Sequence, residues 1–134
     1  FDIKPFLFRE MILREKDYRA ALPLHDWEQY RGKNVAVFCS ADAIVPVWAY
    51  MLAATYLQPI AAAISFTTAE ELYKTLFLKN IAAIDNTEYT DKRVVIKGCG
   101  ETPIPDAGYV AVSEKLLPVV KSLMYGEPCS TVPI

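Results

Sequence analysis

The stretch NVAVFCSADAIVPVWAYMLAATYLQPIAAAISF, residues 34–66, decides the fold. It opens on a short β-branched and aromatic run, Asn34 to Cys39, preceded by Gly32, which is the pattern of a buried strand. Asp42 then stands where a helix N-cap side chain accepts backbone N–H groups. It predicts a helix from about Ile44 to Leu57, with Pro46 tolerated in the first turn. Gln58-Pro59 ends that helix, because proline has no N–H and crowds the preceding turn. Ile60 to Phe66 returns to strand character.

The same stretch passes for a membrane span on length alone. No charged residue occurs from Ala43 to Ala69, and the 23 residues from Ile44 to Phe66 read almost continuously apolar. Gln58-Pro59 interrupts it past the middle, and the piece after it is short and strand-like. Its flanks are acidic, Asp42 on one side and Glu70 and Glu71 on the other, with no Lys or Arg to anchor either end. The expectation is a protein core and no membrane.

Outward from this stretch the alternation continues. Thr67 or Thr68 caps a helix with Glu70 and Glu71 in its first turn, where acidic groups suit the dipole. Leu72, Leu76, Ile81 and Ile84 supply its buried stripe, with Asn80 a point of interruption. Arg93 to Lys97 forms a third strand, closed by Gly98-Cys99-Gly100. A last helix starts near Pro105-Asp106 and carries Tyr109, Val110, Leu116, Leu117, Val120 and Met124 inward, kinked at Pro118. Gly126 stops it, and the tail 127–134 is extended between Pro128 and Pro133. Before residue 30, Glu15 to Leu22 reads as helix and His25 to Tyr30 as one more turn. Alternating strands and helices predict a small α/β fold of two or three layers with a mostly parallel sheet of at least three strands, in a single domain over residues 1–134.

Composition narrows the function classes. The 134 residues are 53% hydrophobic and 22% charged, with 14 basic against 16 acidic residues and a net charge of −2. That is far from disorder and supplies no basic patch for nucleic acid. Three cysteines are an odd, low number, so a fully paired disulfide framework within the chain is excluded and a reducing compartment is favoured. No basic-then-apolar leader is present, and the Phe1 start predicts residues upstream. The expected location is cytoplasmic.

In an open parallel sheet, ligands gather beyond the carboxyl ends of the strands. Cys39 ends the first strand, Cys99 follows the third, and Cys129 lies in a tail that can run back to the same rim. Thiolates beside helix N-termini are good metal ligands, so these three predict a zinc or iron–sulfur site. Asp42, Lys97, Glu127 and His25 are its supporting groups: a helix cap or fourth ligand, a cation against thiolate charge, an outer partner, and a further ligand. The gaps are long and no CxxC pair occurs, and a lone cysteine is more often a small buried hydrophobe. Two rivals use the same rim. Cys39 or Cys99 could be a nucleophile held as thiolate by Lys97 or His25. The Ser40-Ala41-Asp42 turn, with Gly98 and Gly100, could hold an anion on backbone N–H groups. No GxGxxG, P-loop or G-x-S-x-G is present. A single histidine excludes a multi-histidine metal site, and His25-Asp26-Trp27 reads as a turn with a packed indole.

The segments HDWEQYRGKNVAVFCSADAIVPVWAYMLA (25–53), RVVIKGCG (93–100) and MYGEPCSTVPI (124–134) resemble the signature segments of an uncharacterised bacterial family, domain of unknown function 2480. The resemblance spans nearly the whole chain. It implies cytoplasmic bacterial proteins without an assigned activity, encoded beside iron–sulfur assembly genes, and hence iron–sulfur assembly proteins as partners. It also implies further residues before Phe1 and after Ile134. Cys39, Cys99 and Cys129 all fall within the characteristic segments.

Three functional expectations follow. The first is an accessory factor binding a metal or cluster through the three cysteines. The second is a non-catalytic interaction module with inert cysteines, as a homodimer. The third is a thiol enzyme.

Overall fold

The computed structural model describes residues 1–98, 100–127 and 130–134, and the chain divides into two compact units, 1–72 and 73–134.

In the first unit, β1 (Asn34–Val37) and β2 (Ala63–Phe66) pair in parallel, Asn34 against Ala63 and Val37 against Phe66. The α2 helix (Val47–Leu57) connects them. Val35, Ala36 and Val37 are all buried, as expected of a strand covered on both faces. The other edge of β1 is satisfied by the chain start. Phe38 N–H donates to the Phe1 carbonyl at 3.1 Å and Ile3 N–H to the Phe38 carbonyl at 2.9 Å. The α1 helix (Glu15–Ala21) is fastened to α2 through Tyr18, a fully buried side chain whose hydroxyl donates to the Ala49 carbonyl at 2.8 Å. Burial, with a smaller contribution from Tyr50, pushes the Tyr18 phenol up to about 12. Ile3, Leu7, Tyr18, Leu22 and Ala49 form one buried cluster, and Val35, Val37 and Leu57 a second. A tight turn links Phe8 to Ile12, with Arg9 and Glu10 both left-handed at φ 51° and 58°. The Arg14 guanidinium lies 3.4 Å from the Phe8 ring centre, and Lys4 pairs with Glu10 at 3.8 Å.

In the second unit, β3 (Arg93–Lys97) pairs in parallel with β4 (Ser122–Glu127), Arg93 against Ser122 and Lys97 against Gly126. The α4 helix (Asp106–Leu116) is the crossover, and β5 (Ser130–Pro133) returns antiparallel to β4. The division between the units falls inside α3 (Ala69–Ala82). Among the described residues, Ile81, Leu116 and Leu123 are the buried apolar side chains here. Gly108 permits close packing, since a β-carbon there would stand 2.8 Å from Phe77 Cε1.

The mostly parallel sheet of at least three strands does not form. The strands make a two-stranded parallel sheet and a separate three-stranded mixed sheet, order β3-β4-β5, with one parallel pair. The misreading lies at residues 117–124, taken from sequence as kinked helix. Pro118 instead ends the helix, because it cannot donate to the preceding turn. Residues 122–127 then become a strand, onto which the tail folds back. Asp42 is also corrected. Pro46 occupies the N-cap of α2 at φ −64° and ψ 143°, with no side-chain cap, and Asp42 sits exposed in the preceding loop. Proline disfavours helical geometry at the residue before it, so Val45 cannot join the helix. At 11 residues α2 is far from bilayer length, and among the described residues no helix is long and apolar enough to cross a membrane.

Candidate functional site

Cys39 lies just past β1, half-buried against the first core cluster, and its thiol donates to the Ala41 carbonyl at 3.7 Å. That partner is a backbone oxygen, not a base that would take the thiol proton. The loop beyond it is fastened from within. Asp2 accepts the Ser40 N–H at 3.0 Å, the Ser40 hydroxyl at 2.5 Å and the Lys4 N–H at 3.0 Å. Burial raises the Asp2 pKa, but these bonds and Lys4 outweigh it and hold the carboxyl below its ordinary range. The Ser40 donors expected to meet an anion are therefore committed to a carboxylate of the chain itself.

His25 is an aromatic packing element. It sits edge-on to Phe1, Phe6 and Trp27, with Nε2 hydrogen-bonded to the Tyr30 hydroxyl at 2.8 Å. Burial lowers its pKa, against a smaller opposing pull from Asp26. Trp27 stacks on Tyr56 at 4.9 Å and donates Nε1–H to the Leu22 carbonyl at 2.6 Å, the packed indole expected of the turn. Lys97 is exposed at the end of β3. Cys99 and Cys129 lie outside the described residues, as does the Glu127 side chain. Among the described residues, no group of three His, Cys, Asp or Glu side chains is placed to hold a metal ion.

The feature that sequence reasoning missed is the outer face of α2. Ala49, Ala53 and Leu57, four residues apart, turn inward and are buried. Val47 and Met51, on another side of the helix, are 74% and 65% exposed. Ile44 ahead of the helix is 95% exposed, and Phe66 at the end of β2 is 75% exposed while meeting Tyr50 edge-on at 4.9 Å. A helix apolar all round is ordinarily buried all round. The signal was present in the sequence: an uncharged run from Ala43 to Ala69 supplies more apolar surface than one buried helix face and one strand consume.

A family model described as "Protein of unknown function (DUF2480)" matches residues 1–134, the whole of the chain. No curated protein and no solved structure matches it.

Proposed function

We propose, for a chain that belongs to the DUF2480 family of proteins of unknown function, a role as a non-catalytic interaction module that pairs with a second copy of itself through the outer face of α2. The observation that carries this is the exposed apolar group Ile44, Val47, Met51 and Phe66. Contiguous exposed apolar surface rimmed by polar residues marks interaction sites on soluble proteins. A two-fold interface brings the same patch from both copies together. A face built from a stretch without charge meets its copy with no like-charge repulsion, whereas it has nothing with which to select a charged partner. Cys39, half-buried and bonded to a carbonyl, fits the inert role this reading assigns it.

Sedimentation equilibrium between about 1 and 100 µM tests it. The expected result is a dimer whose Met51→Glu variant is monomeric with an unchanged circular dichroism spectrum. A wild-type monomer throughout, or a Met51→Glu dimer of equal strength, overturns it.

A second reading is the accessory factor that holds zinc or an iron–sulfur cluster through Cys39, Cys99 and Cys129 and works with iron–sulfur assembly proteins in the cytoplasm. Its support is the register of Lys97 against Gly126, two positions before Cys99 and three before Cys129. Elemental analysis of protein purified without oxygen or chelator tests it. Near-stoichiometric metal, lost in each single Cys→Ser variant, supports the site; metal-free protein, or metal retained in all three variants, counts against it.

A further inference from the structure

The second unit contains a cleft of about 500 Å³ with α4 on one side and β3 and β4 on the other. That volume lies in the range of small-molecule sites, about 300–1,000 Å³. Its apolar wall includes Ile96, Ile104 and Leu123. Its polar lining on α4 is Asp106, Tyr109 and Ser113, spaced i, i+3 and i+7 and so on one helix face. The hydrogen-bonding sense of these groups is uneven. Asp106 is an acceptor only. The Ser113 hydroxyl already donates to the Tyr109 carbonyl at 2.8 Å, so what it offers the cleft is lone pairs. Among the described residues, the one charged side chain in the lining is that of Asp106. Lys97 lines a smaller neighbouring cavity of about 160 Å³, not this cleft.

The Tyr109 and Tyr125 phenols of the lining can donate or accept, so the group that biases the choice of ligand is the Asp106 carboxylate, which favours a cationic donor. We propose that this cleft binds a small amphipathic amine, an aromatic or branched aliphatic body with an ammonium head directed at Asp106. This goes beyond the self-association proposed above, and each stands without the other.

The test is a titration of the ¹⁵N-labelled full chain, followed by amide shifts, with 2-phenylethylamine, 2-phenylethanol and 3-phenylpropanoate as probes. The amine is expected to saturate shifts centred on Ile96, Leu123 and α4, the alcohol to bind more weakly and the carboxylate weakest. Asp106→Asn, at an exposed position, is expected to weaken the amine about tenfold, the size of a lost charge-assisted hydrogen bond, and to leave the alcohol unchanged. The reference spectrum of each variant reports its fold. Equal or tighter binding of 3-phenylpropanoate, an Asp106→Asn variant that binds the amine as well as wild type, or no saturable shift at the cleft for any probe overturns the proposal.

Discussion

The hydroxyl of Tyr109 occupies the space that a β-carbon on residue 98 would need, so the side chain of α4 reaches across to the backbone just past β3. The Tyr109 ring carbon that bears the hydroxyl would itself stand 2.8 Å from that β-carbon, so the contact involves ring as well as oxygen. Gly98→Ala is expected to cost about 1–3 kcal/mol by overpacking. Adding Tyr109→Phe should recover part of the loss and not all of it. Urea unfolding of the two single variants and the double variant gives the coupling. Additive losses would show that the cost of Gly98→Ala does not come from the Tyr109 hydroxyl.

Tyr18 joins α1 to α2 by one buried hydrogen bond and a fully buried ring. Tyr18→Phe keeps the ring and should lose about 1 kcal/mol, the net worth of a hydrogen bond whose acceptor belongs to a helix. Tyr18→Ala should lose about 3–5 kcal/mol through the cavity it leaves. Denaturation midpoints of both variants check the ratio between the two losses, which separates packing from hydrogen bonding at this position.

At Arg9-Glu10 the turn holds two non-glycine residues in left-handed geometry, at about 1–2 kcal/mol each. Glu10→Gly relieves one of them and surrenders an exposed ion pair with Lys4 worth about 0–1 kcal/mol. A net gain of about 0.5–1 kcal/mol in unfolding free energy is expected. A loss would mean that the Lys4–Glu10 pair, rather than the turn geometry, governs this segment.

His25 gives stability a defined pH window. Its folded pKa lies below 6.5, so between the two values the unfolded chain binds the proton that the folded chain refuses. Stability is therefore complete above about pH 6.5 and falls as the pH drops through the folded value. Asp2, also lowered when folded, acts separately: its contribution is present above 3.8 and lost below it. Unfolding midpoints at pH 7.5 and 5.5 should differ in the wild type and converge in His25→Gln. An undiminished difference in that variant would assign the window to another group.

How much of this was legible depends on how local the determinants are. Strands at 34–37, 63–66 and 93–97 and helices at 15–21 and 47–57 could be read because β-branched runs and proline punctuation act within a few residues. The sheets could not. Whether β1 and β3 share a sheet is set by long-range pairing, on which Val35 and Val94 are silent. Ser122 to Met124 reads as helix because Leu123 and Met124 suit either state, and only the stop at Pro118 decides between them. At the candidate site, Trp27 was read correctly as a packed indole. Asp42 as the cap of α2 was not, because a helix cap and a loop carboxylate look alike in sequence.

The uncharged run that supplies α2 also shapes the making of the protein. The parallel partner of Val35 is Ile64, on the far side of that helix, so β1 leaves the ribosome before its sheet partner, with the chain start alone able to meet it. At about 5–20 residues per second, roughly 1–6 seconds separate the two strands, and the outer face of the apolar helix is bare throughout. Asp42 before the run and Glu70-Glu71 after it bracket this interval as gatekeepers, charges that discourage nascent chains from aligning with one another. Asp42 caps no helix in the finished fold, and its place at the edge of the uncharged run is where a charge separates apolar stretches of neighbouring chains.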